Sequence, residues 1–556
     1  MKRKIWKIKE FTPQAKDLSQ KCNISVYLAQ ILLNRNIDEK QFHAFLNHSI
    51  EFLHSSSLLP DIKKAIQRIK RAIDKNEKIL IVGDYDVDGV TSLAIFNEFV
   101  KDHQELFSFY IPHRVKEGYG LNTEVIERAK KENQTLIIAF DCGTNSLKEI
   151  ELAGSYGIDT IVIDHHHPSK DLNKAYAFIN PKRLDSDYPF KDLSAGALSF
   201  KFLQALTGKD CSEALDLVAL SLVCDVVPLK GENRILLKEG LRQLRKSSRP
   251  AIIALCKVAK IKQENINTFH IGYILGPRIN ASGRVASAND SLKMFLSKDP
   301  EEVLSIALKL QEYNLKRKVI EMNILKEAEQ KIEQDTSNDY AIVVSGENWH
   351  SGVLGIVASR LADKYYRPSF VISFDDVCGR GSARSIHSVH LMEALEGCHS
   401  ALSAYGGHKK AAGLEIFREG LEEFKQRINS YIKNNTKPVD LIPVLDIDLK
   451  LNFNDVSIEL IEELGKLEPF GEENSKPMFV SCSVYKKSKP KKIKSGYFVW
   501  LSDGEKTLEG VVYDREILEI VEYAEEFDIA YSLEKNDFHN EPLLVIRDVR
   551  LSGSKV

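Results

Sequence analysis

KILIVGDYDVDGVTS, residues 78–92, decides how the rest of the chain is read. A run of apolar, β-favouring residues ends at Gly83 and is followed at once by Asp84, Asp86 and Asp88. The pattern returns twice. TLIIAFDCG (135–143) closes a second apolar run on Asp141, and TIVIDHHHP (160–168) closes a third on Asp164, His165 and His166. Helical patterns separate the runs, which predicts an α/β fold built on a doubly wound parallel sheet. Ligands of such sheets bind beyond the carboxyl ends of the strands. Carboxylates crowded there repel one another unless cations lie among them. The first expectation is therefore a divalent-metal site.

In GDYDVDG the acids stand at i, i+2 and i+4, which in extended backbone turns them to one side. Gly83 and Gly89 permit the turn and a close approach of backbone to a ligand. Asp141 taken alone serves equally well as a helix cap; it gains weight from its company. His167 is left out of the site. The apolar helical stretch Ser212–Val227 ends in CDVVP, whose single acid is Asp225, and a buried acid needs a partner. Carboxylates with one or two imidazoles suit Mg²⁺ or Mn²⁺, the imidazole tilting the balance toward Mn²⁺. Five or more acids exceed the needs of one ion. A pair about 3.5–4 Å apart is expected, the arrangement used for in-line phosphoryl displacement. The reaction class is metal-assisted hydrolysis of a phosphoester or phosphoanhydride.

Bulk properties set the frame. At 556 residues the chain is too long for one core. With 43% hydrophobic and 28% charged residues it has an ordinary globular composition, and a net charge of −2 neither favours nor excludes a polyanionic partner. No apolar run reaches transmembrane length and MKRKIWKIKEF is too polar for a signal peptide, so no membrane association is expected. The eight cysteines form no CxxC pair and read as thiols of a reducing cytoplasm.

Composition divides the chain further. Residues 1–60 look like a lead-in to the first domain, 61–235 carry the alternating strand and helix pattern, and 236–335 read as a helical connector. Within the connector Ser305–Gln334 has helical apolar spacing without Gly or Pro. A second, smaller α/β pattern over 336–435 contains AIVVSG, SFVISF and the glycine-rich GRGSARS (379–385) and YGGHKKAAG (405–413). Short β-rich segments fill 436–556 and predict a small barrel of the OB type. There YKKSKPKKIKSGYFVW (485–500) sets six Lys in ten residues before Tyr497, Phe498 and Trp500. A basic groove with aromatic platforms suits single-stranded nucleic acid; a solvated Lys-rich loop is the alternative for each Lys, Lys486 and Lys487 included.

The order of these segments resembles the DHH phosphoesterase superfamily, whose four motifs match GDYDVDGVTS, FDCG, Asp164-His165-His166 and CDVVPL. The later segments GPRINASGRV (276–285), WHSGVLGIVASRL (349–361), GRGSARS, GGHKKAAG and LEPFGEENSKP (467–477) are similar to its RecJ family of single-strand-specific 5′→3′ exonucleases. The resemblance covers roughly residues 60–480. It implies a DHH domain joined by a long helix to a DHH-associated (DHHA1) domain, with an OB-fold barrel after them. It makes Asp84, Asp86, Asp88, Asp141, His165 and Asp225 the ligands of two Mn²⁺ or Mg²⁺ ions. His166 becomes a ligand or phosphate contact, and Asp164 an outer residue that fixes an imidazole tautomer. Gly406, Gly407 and His408 would bind the nucleic-acid end; a plain turn between a helix and a strand is the alternative for GGH. Arg278, Arg284, Arg384 and Arg114, in IPHRVKEGYG, are candidate phosphate contacts. The implied activity is release of 5′-mononucleotides from single-stranded DNA in recombination and repair, by a cytoplasmic monomer working with a helicase and a single-strand-binding protein. The alternative is a DHH phosphoesterase acting on short oligonucleotides or cyclic dinucleotides. Some RecJ proteins carry a further C-terminal domain; this sequence ends soon after the barrel, so a role of that domain in partner binding is not expected from it.

Overall fold

The structure, a computed structural model, describes residues 4–553 apart from 48, 115–116, 119, 170–172, 336–338 and 537–538. Parts of the lead-in, of the IPHRVKEGYG segment and of the final β-rich region thus lie outside the described residues. The chain forms two compact units, 50–441 and a discontinuous one of 1–49 with 442–556.

In the larger unit five parallel strands form one sheet, in the order Phe107–Tyr110, Ile79–Gly83, Leu136–Phe140, Asp159–Ile163, Ala177–Ile179. The three central strands are buried almost throughout, which is why their sequences read as continuous apolar runs. Strand order reverses between Ile79–Gly83 and Leu136–Phe140, the crevice where open α/β sheets bind ligands. Register does the rest. Gly83 pairs with Phe140, Phe140 with Ile163 and Ile163 with Ile179, so four strands end level. Asp84, Asp141, Asp164 and Asn180 leave the sheet at the same height.

The opposite side of this sheet is fastened by Arg68, buried on the Ile62–Asp74 helix. Its Nε donates to Asp159 (2.5 Å) and its Nη2 to Glu77 (2.7 Å). Burial alone would raise the Glu77 pKa, but bonds from Thr135 and Arg68 and the Arg68 charge hold it below the usual range. A depressed carboxylate stabilises the fold above its unfolded pKa near 4.3, and that contribution disappears as pH falls through the folded value. Arg68→Met is expected to cost about 2–3 kcal/mol at neutral pH, with a smaller penalty at pH 3, as read by denaturant unfolding at both pH values.

The helix Pro300–Gln334, about 52 Å long, has its first half in the core of this sheet domain and its second half against the next. Midway, buried Arg317 donates to Glu321 (2.5 Å) and Asn314 (2.6 Å), satisfying a charge that could not otherwise be buried. Beyond it a second five-stranded sheet, ordered Ala404–Gly407, Ala411–Phe417, Cys378–Arg384, Ser369–Phe374, Ile342–Glu347, packs against the helix Ser351–Tyr365 and, through Phe370 and Phe424, against Leu421–Asn435.

The smaller unit holds a seven-stranded sheet. Its strands Phe479–Lys486 and Gly496–Ser502 also pair with each other, closing a barrel. Here the structure corrects the lead-in. Ile5–Ile8 runs parallel to Val444–Ile447, and Leu28, Ile31, Leu32 and Phe42 share an apolar core with Phe453, Leu460 and Phe479. Residues 1–49 therefore belong with the barrel; their helices expose apolar faces that the barrel covers. Only the following residues enter the larger unit. There the His54 backbone N–H donates to buried Glu232 and its carbonyl accepts from buried Lys201.

Candidate metal centre

The first acidic segment is not extended. Asp84 follows the strand, but Asp86 is the N-cap of the helix Val87–Val100 and Asp88 lies in its first turn. The expectation that i, i+2, i+4 spacing would turn the three acids to one side therefore fails in its geometry. Asp86 Oδ1 accepts from the N–H groups of Asp88 and Gly89, so helix capping outweighs strand continuation. Asp88 is fastened from the other direction. Its oxygens accept from Ala195 and Gly196 N–H (2.9 Å each), at the start of the helix Ala195–Thr207, and from Ser221 Oγ (2.5 Å).

Asp141 holds φ at +60°, a left-handed conformation that Asp tolerates better than most residues. Asp225 caps the helix Leu215–Cys224. Asp164 is the keystone of the histidine segment. Its Oδ1 accepts from the His165 N–H (2.7 Å), the His166 N–H (3.2 Å) and His166 Nδ1 (2.7 Å), and its Oδ2 from the Thr144 N–H (3.0 Å).

These residues form three overlapping groups whose donor atoms lie within 4.8 Å of one another: Asp84, Asp86 and Asp141; Asp88, His165 and Asp225; and Asp141, Asp164, His165 and His166. His165 Nε2 stands 3.4 Å from Asp141, 3.5 Å from Asp225 and 3.7 Å from Asp88. Both its ring nitrogens and Asp84 Oδ1 are buried without a hydrogen-bond partner. A buried imidazole aimed at three carboxylates, with no hydrogen bond made, leaves a lone pair for a cation. The donor set fits one.

Electrostatics agree. Burial, reinforced by the neighbouring acids, raises the pKa of Asp84, Asp141 and Asp225 well above normal and that of Asp88 to about 6. Burial, then the His166 charge, drives His165 down to about 3, keeping the imidazole neutral. For His166, burial works against protonation, yet Asp164, Asp225 and Asp84 lift it to about 9. Asp164 is correspondingly depressed: burial opposes ionisation, but His166 and His165 prevail. The protein alone thus carries more negative charge at this edge than it can hold ionised.

Cationic groups surround the cluster. The Arg114 guanidinium lies 4.7 Å above the Tyr85 ring. Arg284, whose Nη1 donates to the Gly352 carbonyl (3.2 Å), feels Arg114 and Asp86, and Arg384 feels Arg114. Arg114 therefore lies near both Arg284 and Arg384, and Arg114 and Arg284 reach the acids Asp84 and Asp86. Arg278 does not join them; its Nη1 donates to the Ile274 carbonyl (2.5 Å). His408 sits next to His166, with ring centroids 6.5 Å apart. The GGH segment is a hairpin between two strands, not a turn between a helix and a strand: Gly406 pairs with Gly413 and Gly407 with Ala412. At Gly407, with φ at +149°, a Cβ would overlap the Ala411 carbonyl and Ala412 Cα.

Sequence reasoning missed several supporting residues. Half-buried Lys182 faces Asp225 and Asp164, and Asn180 Nδ2 donates to the His166 carbonyl (2.9 Å). Both follow the short strand Ala177–Ile179, so the strand-end rule that found the aspartates would also have found them. Asn280 Oδ1 accepts from the Val87 N–H (3.0 Å), fastening the turn between Asp86 and Asp88. No local signal marked it.

In the barrel unit Lys486 leaves the proposed DNA groove. Its Nζ donates to the carbonyls of Val521 (3.1 Å), Glu522 (2.6 Å) and Ala524 (3.1 Å), neutralising the end of the helix Arg515–Tyr523. Lys487 is exposed, with Nζ 4.7 Å from the Tyr485 ring centroid. Phe498 and Trp500 meet edge to face at 5.6 Å on the outer side, while Val499 and Leu501 point inward. Lys486→Met is expected to destabilise the protein by about 1 kcal/mol without weakening DNA binding; Lys487→Ala should do the reverse, measured by urea unfolding and fluorescence anisotropy.

Comparison with known proteins follows the same divisions. Family models for the DHH family N-terminal domain, the DHHA1 domain and the RecJ OB domain match residues 78–222, 338–434 and 447–548. The chain is 36% identical to the single-stranded-DNA-specific exonuclease RecJ of Bacillus subtilis over 84% of its own length, the match spanning 59% of that relative. It is 34% identical to the RecJ of Dickeya dadantii over 78% of its length and 80% of that protein. The crystal structure of Thermus thermophilus RecJ in complex with Mn²⁺ superposes with a TM-score of 0.85 at 25% identity, covering all of this chain and 81% of that one. With the metal-ligating residue types gathered at the strand ends and the three domains in this order, the chain belongs to the RecJ family of DHH proteins.

Proposed function

We propose that this chain is a Mn²⁺- or Mg²⁺-dependent exonuclease specific for single-stranded DNA, working 5′→3′ and releasing 5′-mononucleotides in recombination and repair. The observation that carries the proposal is the buried, unpaired His165 imidazole facing Asp88, Asp141 and Asp225, with Asp84 and Asp86 meeting Asp141 on its other side. The relatives' printed activity and the Mn²⁺ in the Thermus structure support it.

In this reading Asp84, Asp86 and Asp141 hold one ion and Asp88, His165 and Asp225 the second. When bound, such a pair would supply a nucleophile at neutral pH and offset charge on the attacking and leaving oxygens. The protein's own groups do the rest. Asp164 fixes the His166 ring through Nδ1, so that its other nitrogen would serve the scissile phosphate or an ion. Arg114, Arg284 and Arg384 offer fixed positive charge to flanking phosphates, and the Gly406-Gly407-His408 hairpin offers backbone and imidazole to the strand end. Lys487 and the Phe498/Trp500 pair would carry more distant nucleotides. Action as a monomer, cytoplasmic location and strand supply by a helicase and a single-strand-binding protein complete the reading.

The test is digestion of 5′- and 3′-labelled single- and double-stranded DNA with Mn²⁺, Mg²⁺ or EDTA. Early release of the 5′ label as a mononucleotide from single strands alone is expected. Equal duplex digestion, first release of the 3′ label, or activity in EDTA overturns the proposal; rapid cleavage of dinucleotides with none of longer strands would favour the short-oligonucleotide phosphoesterase.

A further inference from the structure

One helix ties the metal loop to an exposed aromatic surface. The α-helix Gly276–Val285 continues a π-helical turn, His270–Leu275, and helical backbone extends back to 268. Its lower part belongs to the site: Asn280 receives the Val87 N–H, and Gly283 lies so close to Tyr85 that a Cβ would crowd the Tyr85 carbonyl at 2.6 Å. Its upper part rests on the residues just before Asp225. A Cβ at Gly272 would touch Val223 at 3.5 Å, and one at Gly276 would overlap the Cys224 sulfur. Gly276 lets the helix approach the end of Leu215–Cys224 closely, directly after the π turn. Wide turns of this kind recur at functional sites.

On the outward side of that turn stand Phe269 and Tyr273, 58% and 75% exposed. Their rings stack on each other, with centroids 5.1 Å apart and planes 27° apart. Val226, which follows Asp225 directly, is also exposed and apolar. A large aromatic pair held in solvent by a rigid helix has no packing role to explain it, and exposed apolar clusters of this kind mark binding surfaces. Tyr273 lies about 10 Å along the helix axis from Asn280, the residue that fastens the metal loop. Every base offers a π face whatever its identity, so such a pair recognises unstacked bases without reading sequence.

We propose that Phe269 and Tyr273 form a base-stacking platform beside the metal centre for the nucleotides of single-stranded DNA next to the scissile bond. The proposal rests on the single-strand reading above. A duplex keeps its bases stacked inside and offers the platform nothing, so these two rings would contribute to the discrimination against double strands.

The test compares wild type, the Phe269→Ala/Tyr273→Ala variant and the ring-preserving Phe269→Tyr/Tyr273→Phe variant. Substrates are 5′-phosphorylated oligodeoxythymidylate, the same strand with one abasic site at successive positions, and the p-nitrophenyl ester of thymidine 5′-monophosphate. The double alanine variant is expected to lose about tenfold in kcat/KM on the oligonucleotide, to keep its rate on the short ester, and to become indifferent to an abasic position that slows wild type. The ring-preserving variant should behave as wild type. An unchanged rate for the alanine variant on the oligonucleotide, or abasic sensitivity that survives it, overturns the platform. Wild type that hydrolyses the ester but not the oligonucleotide overturns the single-strand reading instead, and the platform with it.

Discussion

Asp141→Asn should lower the rate of single-strand degradation on the order of 10³-fold, about 4 kcal/mol of barrier, while leaving the folded protein intact. Asp141 belongs to two of the three donor groups and stands 3.4 Å from His165 Nε2, so its charge serves both halves of the site. Asn is the right substitution because the backbone there is left-handed, a conformation Asn adopts readily and Ala only at about 1–2 kcal/mol. Asp141→Ala should be as inactive and measurably less stable. A second readout separates charge from shape. Burial, then Asp88, Asp86, Asp84 and Asp225, raises the Asp141 pKa, so the folded metal-free protein holds a proton that the unfolded chain has released. The unfolded state then binds fewer protons, and stability in EDTA falls as pH rises above about 4. The Asn variant should show a shallower fall. Mn²⁺ at a hundred times its Kd should stabilise wild type by about 2.7 kcal/mol and the variant by less. Undiminished activity, or an identical pH slope in EDTA, would refute the role given to Asp141.

Gly89→Ala is expected to abolish most activity and to destabilise the protein by about 2–3 kcal/mol, although alanine is the better helix former by about 1 kcal/mol. Gly89 sits in the first turn of Val87–Val100, where that helix folds back over the residue that precedes it. A Cβ there would lie 2.6 Å from the Asp84 backbone nitrogen and 2.8 Å from its carbonyl carbon, and closer still to the carbonyl oxygen. None of these atoms belongs to a flexible side chain, so relief can come only by moving Asp84 away from Asp86 and Asp141. Loss of Mn²⁺ affinity by calorimetry, together with a lower Tm, is the expected signature. A stabilised, active Gly89→Ala protein would show that the loop is not packed as described.

Much of the site was legible in local sequence. Apolar runs too continuous for a half-exposed strand announced a doubly covered parallel sheet, and an acid directly after each run had to emerge at its carboxyl edge. Hence Asp84, Asp141 and Asp164 could be placed together before any coordinates existed. The three-acid segment shows where such reasoning fails. A spacing of two is a strand signal only if the strand continues, and here Asp86 accepts the helix N–H groups and ends it. The barrel's Lys-rich stretch fails for a different reason: six lysines look alike in sequence, yet Lys486 is drawn off to cap a helix more than thirty residues away, after the next hairpin. The N-terminal helices could not be assigned either, since their apolar faces say only that something covers them.

By itself the sequence determined the α/β sheet, the chemistry of its edge and the family pattern, because strand period and the order of acids along the chain are local properties. Tertiary structure decided which donors lie together, through the level register of four strands and the return of Asp225 from a distant helix. It decided also that Arg114 lies near Arg284 and Arg384, that residues 1–49 complete the barrel unit, and that Phe269 and Tyr273 stand exposed on the helix that leads to Asn280. Such outcomes depend on contacts between residues far apart in the chain, whose energies no local window contains.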